Sequence, residues 1–238
     1  MTPQDHRPQD GSFIANAAVR VPIGAEALQG DLASVSGASG IVVFVHGSGS
    51  SRHSPRNRSV AERLQQGGFA TLLIDLLTEN EEIADDRGDA RFRFDIPMLA
   101  DRVSAIVAWL KRQPSLSPLP VGLFGASTGG GAALLAAAHR PDDIAAVVSR
   151  GGRPDLAGLA LSRVLAPTLL IVGEHDDAVI AMNRDAMARM RTEVTLKIVP
   201  GATHLFEEPG ALEQVAALAA EWFEAHLPST PHQPQSSA

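Results

Sequence analysis

Val121-Gly122-Leu123-Phe124-Gly125-Ala126-Ser127-Thr128-Gly129-Gly130-Gly131 runs from an apolar segment through a turn of small residues into an alanine-rich stretch that continues to His139. Residues 121–124 lack polar alternation, which is the pattern of a strand covered on both faces. A serine on a sharp strand-to-helix turn adopts strained backbone angles, so the residues two before and two after it must be small. Gly125 and Gly129 occupy those two positions. A helix over 128–139 directs its N-terminal dipole at any anion formed beside Ser127. Close packing or phosphate binding would also suit a glycine-rich turn, but neither Gly-x-Gly-x-x-Gly nor a P-loop lysine is present here.

Outward from this turn, short apolar runs alternate with longer amphipathic ones. Segments 17–22 and 28–35 read as an opening antiparallel pair, and 41–45, 71–75, 121–124, 145–149, 168–172 and 194–199 as six buried parallel strands. Helical periodicity with suitable caps occupies 55–66, 96–112, 128–139, 178–191 and 210–226, and 155–165 supplies a further short helix. The expectation is an α/β fold: a right-handed, doubly wound, mainly parallel eight-stranded sheet with helices on both faces. Ligands of such sheets bind at the carboxyl ends of the strands.

Of the 238 residues, 45% are hydrophobic, enough for a substantial core, and no repeat or linker divides the body. Residues 12–227 read as a single domain between polar, disordered tails at 1–11 and 228–238. A net charge of −7 opposes nucleic acid and anionic membranes, leaving small molecules as the expected partners. The absence of cysteine excludes disulfides, a thiolate zinc site and a cysteine nucleophile. No secretory leader pattern opens the chain, and its longest apolar runs fall well short of the roughly 20 residues that cross a bilayer, so a cytoplasmic protein is expected.

A serine hydroxyl needs a general base to attack a carbonyl, and the base needs a carboxylate to orient it. Gly173-Glu174-His175-Asp176-Asp177 follows segment 168–172 and supplies the acid, for which Asp176 is favoured over Asp177, whose alternative role is to cap the next helix. Gly201-Ala202-Thr203-His204-Leu205-Phe206 follows the last strand and supplies His204 as the base. After segment 41–45 comes His46-Gly47-Ser48-Gly49-Ser50, whose Ser48 amide would join that of Thr128 as the two N–H donors of an oxyanion hole.

With these four elements in order, the chain resembles the α/β-hydrolase superfamily, and within it the compact dienelactone-hydrolase-like branch. The resemblance implies hydrolysis of a small ester or lactone through an acyl-serine, with no cofactor. Dienelactone hydrolases proper use a cysteine nucleophile, so the transfer made here is to a serine esterase with Ser127 as nucleophile. Only residues 150–166 separate the sixth strand from the seventh, too few for a large helical cap.

Arg52, Arg56, Arg150 and Arg153 fall on the loops expected to ring the site. They would clamp an anionic substrate, or else pair with the acidic stretch that holds Glu79, Glu81, Glu82, Asp85 and Asp86. Two other classes of function stay open on sequence alone: a ligand-binding hydrolase fold without turnover, and C–C bond hydrolysis or acyl transfer by the same three side chains.

Overall fold

A computed structural model describes residues 14–227. The tails expected at 1–11 and 228–238 lie outside the described residues. Within them, β1 (Ile14–Ile23) and β2 (Glu26–Val35) form an antiparallel hairpin. It is followed by β3 (Ile41–Val45), β4 (Ala70–Ile74), β5 (Val121–Ala126), β6 (Ile144–Arg150), β7 (Thr168–Gly173) and β8 (Val194–Val199). All eight make one sheet in the order β1-β2-β4-β3-β5-β6-β7-β8. From β4 to β8 every neighbour is parallel, and only the β1–β2 and β2–β4 pairs are antiparallel.

The two faces of the sheet carry separate cores because strand side chains alternate. Val43, Val45, Leu72, Ile74 and Leu123 face α3 (Ile96–Leu110) and α4 (Thr128–His139). Val42, Phe44, Phe124, Val148 and Ile171 face α1 (Pro55–Gln66) and α6 (Ala211–His226). Phe44 and Phe124 meet there with ring centroids 5.0 Å apart.

Two of the covering helices begin at side-chain caps that the sequence signals. Ser54 accepts the Asn57 amide ahead of Pro55 in α1, and Asp95 accepts the Met98 amide ahead of Pro97 in α3. In α3 the buried set Ile96, Leu99, Ala100, Val103, Ile106, Val107 and Leu110 repeats at helical spacing and makes one apolar face.

Four expectations need correction. Segment 194–199 is no buried strand: β8 is the sheet edge, and Lys197 is exposed on it. Segment 155–165 forms 3₁₀ turns over Pro154–Arg163, interrupted by Gly158 at φ 55°. The helix after β7, α5 (Asp177–Met187), stops four residues short of 191, and α3 ends at Leu110. The acidic stretch is itself folded. Thr78 and Glu81 form a reciprocal capping box that starts α2 (Glu79–Ala84). A π turn at Asp85–Asp89 and a 3₁₀ turn at Phe92–Phe94 follow, wrapped around the buried Asp85 carboxylate, which accepts the amides of Phe92 and Arg93. Among the described residues no helix is long and apolar enough to cross a membrane.

Candidate active site

Ser127 joins β5 to α4 at φ 51° and ψ −123°, a region sparsely populated for residues with a side chain. Such a conformation costs on the order of 1–3 kcal/mol and persists where its surroundings fix it. Its amide donates to the Arg150 carbonyl at 3.1 Å, while its own carbonyl accepts the amides of Gly130 and Arg153, each at 3.0 Å. Gly129 makes the turn sterically possible, since a Cβ there would lie 2.1 Å from the Val45 carbonyl oxygen and 2.5 Å from that of His46.

Asp176 and His204 come together as the sequence order suggests. His204 Nδ1 lies 2.6 Å from Asp176 Oδ2, and the imidazole remains 40% exposed. With the carboxylate as acceptor, Nδ1 carries the hydrogen and Nε2 is left with its lone pair free for a hydroxyl proton. Asp176 occupies the N-cap position of α5 but makes no capping bond with its side chain, because that side chain is turned to His204. Asp177 is an exposed first residue of α5, so the capping role expected of it is not observed.

The loops carrying acid and base are tied to each other. His175 N–H donates to the Ala202 carbonyl at 2.9 Å, and Gly201 N–H donates to Glu174 Oε2 at 2.7 Å. His204 also packs on the residue after Arg150, with a Cβ at Gly151 falling 3.5 Å from both Nδ1 and Cε1. Ser127 and His204 therefore flank the same Arg150-Gly151 segment. No hydrogen bond joins the Ser127 hydroxyl to His204 among the described residues.

Opposite them stands the loop after β3. Ser48 N–H donates to Thr128 Oγ1 at 2.8 Å, so the two residues expected to supply oxyanion donors are adjacent, with one amide held by the other's hydroxyl. Thr128 is the first residue of α4, and its amide belongs to the first-turn donors a helix cannot satisfy itself. A cavity of about 350 Å³ opens beside this loop, walled by Ser48, Ser50, Leu76, Leu77, Glu82 and Leu99. Burial, then the neighbouring Asp75 carboxylate, push the Glu82 carboxyl above its usual range.

His46, read from sequence only as part of the loop motif, fixes that loop. It is buried, accepts the Leu76 amide at Nε2 (3.0 Å), and therefore donates from Nδ1 to the Gly47 carbonyl (2.9 Å). Burial pushes its pKa below the ordinary 6.5. The native state thus holds His46 neutral, whereas the unfolded chain gains a proton there once the pH drops below about 6.5. Stability present above that pH is lost on acidification, by up to about 1.4 kcal/mol per pH unit from this residue. Urea midpoints at pH 7 and pH 5 will show a smaller loss in His46→Gln than in wild type; equal losses would contradict the assignment.

The four ring arginines meet different fates, and none pairs with the acidic stretch as the alternative expectation had it. That stretch is served by Arg93, bonded to Asp85 and Asp86, and by Arg102, bonded to Glu81. Arg52 is paired with Asp75 at the end of β4 and lies 3.7 Å from Asp31. Arg153 binds Asp155 through a two-pronged contact of 2.9 and 2.7 Å, and Arg56 donates to Glu207 at 3.0 Å. Arg150 is only 8% exposed, and no carboxylate pairs with it among the described residues.

A serine on a strained turn after a central parallel strand, with a carboxylate and an imidazole on the loops after β7 and β8, defines a protein of the α/β-hydrolase class. Residues 28–227 match the model of the Dienelactone hydrolase family, and the chain belongs to that family. A dienelactone hydrolase from Anabaena variabilis is 59% identical and superposes with a TM-score of 0.88 over 90% of this chain and 98% of its own. Est1E from Butyrivibrio proteoclasticus, solved with ferulic acid bound, shares the fold at 19% identity, with a TM-score of 0.73 over 88% of this chain and 99% of its own. Two Mycobacterium tuberculosis proteins named as candidate phosphoribosyl transferases are 61% identical over 79% of this chain. The chain spans 41% of the length of each of them.

Proposed function

We propose that this chain is a serine hydrolase that cleaves small esters or lactones through an acyl-serine, without a cofactor. The observation that carries the proposal is the 2.6 Å contact between Asp176 and His204 on loops that flank the strained Ser127. His204 Nε2 takes the Ser127 proton as Oγ attacks the substrate carbonyl carbon. Negative charge then builds on the carbonyl oxygen, which replaces the Thr128 hydroxyl as acceptor of the Ser48 amide and also receives the Thr128 amide. The protonated imidazole passes its proton to the leaving alkoxide, and the ester bond breaks. Water, activated by the same imidazole, releases the acid and restores Ser127.

Membership in the dienelactone hydrolase family and the fold shared with Est1E support a hydrolase. Acyl transfer to an alcohol and C–C cleavage would share the steps up to the acyl-serine, and product analysis separates them. A cytoplasmic setting belongs to the same proposal. Incubating the protein with a fluorophosphonate and mapping the adduct tests it. Labelling at Ser127 that disappears in Ser127→Ala is expected; folded wild-type protein that takes no label would leave a ligand binder without turnover.

A further inference from the structure

The short loop after β6 lies between the nucleophile turn and the base. Ser127 holds it at both ends, its amide on the Arg150 carbonyl and its carbonyl on the Arg153 amide. Between those ends, Gly151 at φ 50° packs against the His204 ring, and a Cβ on Gly130, in the first turn of α4, would come within 3.0 Å of Gly152 Cα. Two glycines let these backbones touch. They also leave the middle of the loop without a side chain to anchor it. Asn183, in the middle of α5, supplies the anchor: it is 0% exposed, and Nδ2 donates to the Gly152 carbonyl at 3.0 Å and to the Val179 carbonyl, one turn back, at 2.8 Å.

Both hydrogens of the Asn183 amide are thus committed, one to the loop and one within the helix, while Oδ1 is buried without a partner. An orphaned buried acceptor costs stability, and a leucine of similar volume would carry none. The position therefore spends stability on the bond to Gly152. The same helix starts at Asp176, so α5 carries the acid at its N-cap and the anchor of the loop about two turns further on. We infer that Asn183 is a positioning residue of the proposed hydrolysis: its amide fixes Gly151 and Gly152 between the Ser127 turn and the His204 ring, and so holds nucleophile and base in reach of each other. This role rests on the Ser127 hydrolase proposal; the bond to Gly152 does not. Because a misplacement of about 1 Å by a substitution away from the chemistry can cost about 100-fold in rate, the anchor acts on kcat and hardly on KM.

Asn183→Leu removes both donors at nearly unchanged volume. With a neutral chromogenic ester its kcat falls about 10–100-fold while KM stays within about two-fold of wild type. Fluorophosphonate still labels Ser127 in every folded chain, but with a rate constant lowered by a similar factor. A residue that only stabilised the fold would do the reverse, reducing the fraction of chains labelled at an unchanged rate constant. Asn183→Ser is the second variant and carries the test if Asn183→Leu fails to fold. Its hydroxyl can return to the Val179 carbonyl, as helical serines do, whereas Gly152 loses its donor. The same loss of kcat is expected. A kcat and a labelling rate constant within about three-fold of wild type in a folded variant would overturn the role. Folded wild type that takes no label sinks the hydrolase proposal and this role with it. Labelling of wild type that neither variant slows sinks the positioning role alone.

Discussion

Replacing His204 by alanine lowers kcat for a neutral test ester by about 10⁵-fold and leaves KM within a few-fold. The size follows from the two roles that the proposed mechanism gives the imidazole in each cycle, taking the serine proton and returning it to the leaving group. Without it, Ser127 must lose its proton to water, and Asp176 has nothing to orient. What survives is the rate due to oxyanion donors and binding, which alone accelerate a reaction by about 10³–10⁴ over water. Because the His204 side chain is 40% exposed, its removal opens no sealed cavity, and the melting temperature should stay close to wild type. Steady-state kinetics with a chromogenic ester, alongside a melting curve, provide the check. A loss of less than about 100-fold would remove His204 from the general-base role.

Gly129→Ala destabilises the protein by more than about 4 kcal/mol, or prevents soluble expression. A Cβ at this position would sit 2.1 Å from Val45 O, 2.5 Å from His46 O and 2.8 Å from His46 C, all backbone atoms at the carboxyl end of β3. Neither neighbour can rotate away. Relief requires moving α4 off the sheet, which would open the packing of Ala132, Ala133 and Ala136 against the core. Gly67→Ala is the control. That glycine ends α1 at φ −80°, and the nearest atom to an added Cβ is Leu64 O at 3.3 Å. A change within about 1 kcal/mol is expected there. Chemical denaturation of both variants measures the difference, and comparable stabilities would refute the steric argument.

The parts of this molecule that were legible in the sequence are those encoded over a few consecutive residues. Apolar runs mark β3 to β7 because strands covered on both faces need no polar positions, and Ser54-Pro55 and Asp95 mark their helix starts. Ser127, Asp176 and His204 stand out because each follows a strand on its own short loop. The edge strand misled for the converse reason: Val194-Thr195-Leu196-Lys197-Ile198-Val199 is apolar enough to pass for an interior strand, yet Lys197 already marks the outer face. Thr78 and Glu81 carried a legible capping signal for α2, lost amid an acidic run without apolar periodicity. Arginine partners could not be read at all. Arg56 meets Glu207 across 151 positions and Arg52 meets Asp75 across 23, distances in sequence that only the fold closes.

Asp176 shows where the proposed activity and robustness part company. An aspartate at the N-cap of a helix ordinarily accepts a first-turn amide, a contact worth about 1 kcal/mol. Here the carboxylate turns away to His204, and α5 begins without that support. The start of α5 is thus a point where thermostability has been given up to keep an imidazole aligned. Selection for heat resistance alone would favour residues there that cap the helix and ignore His204, and under the proposed mechanism such sturdier proteins would turn over little.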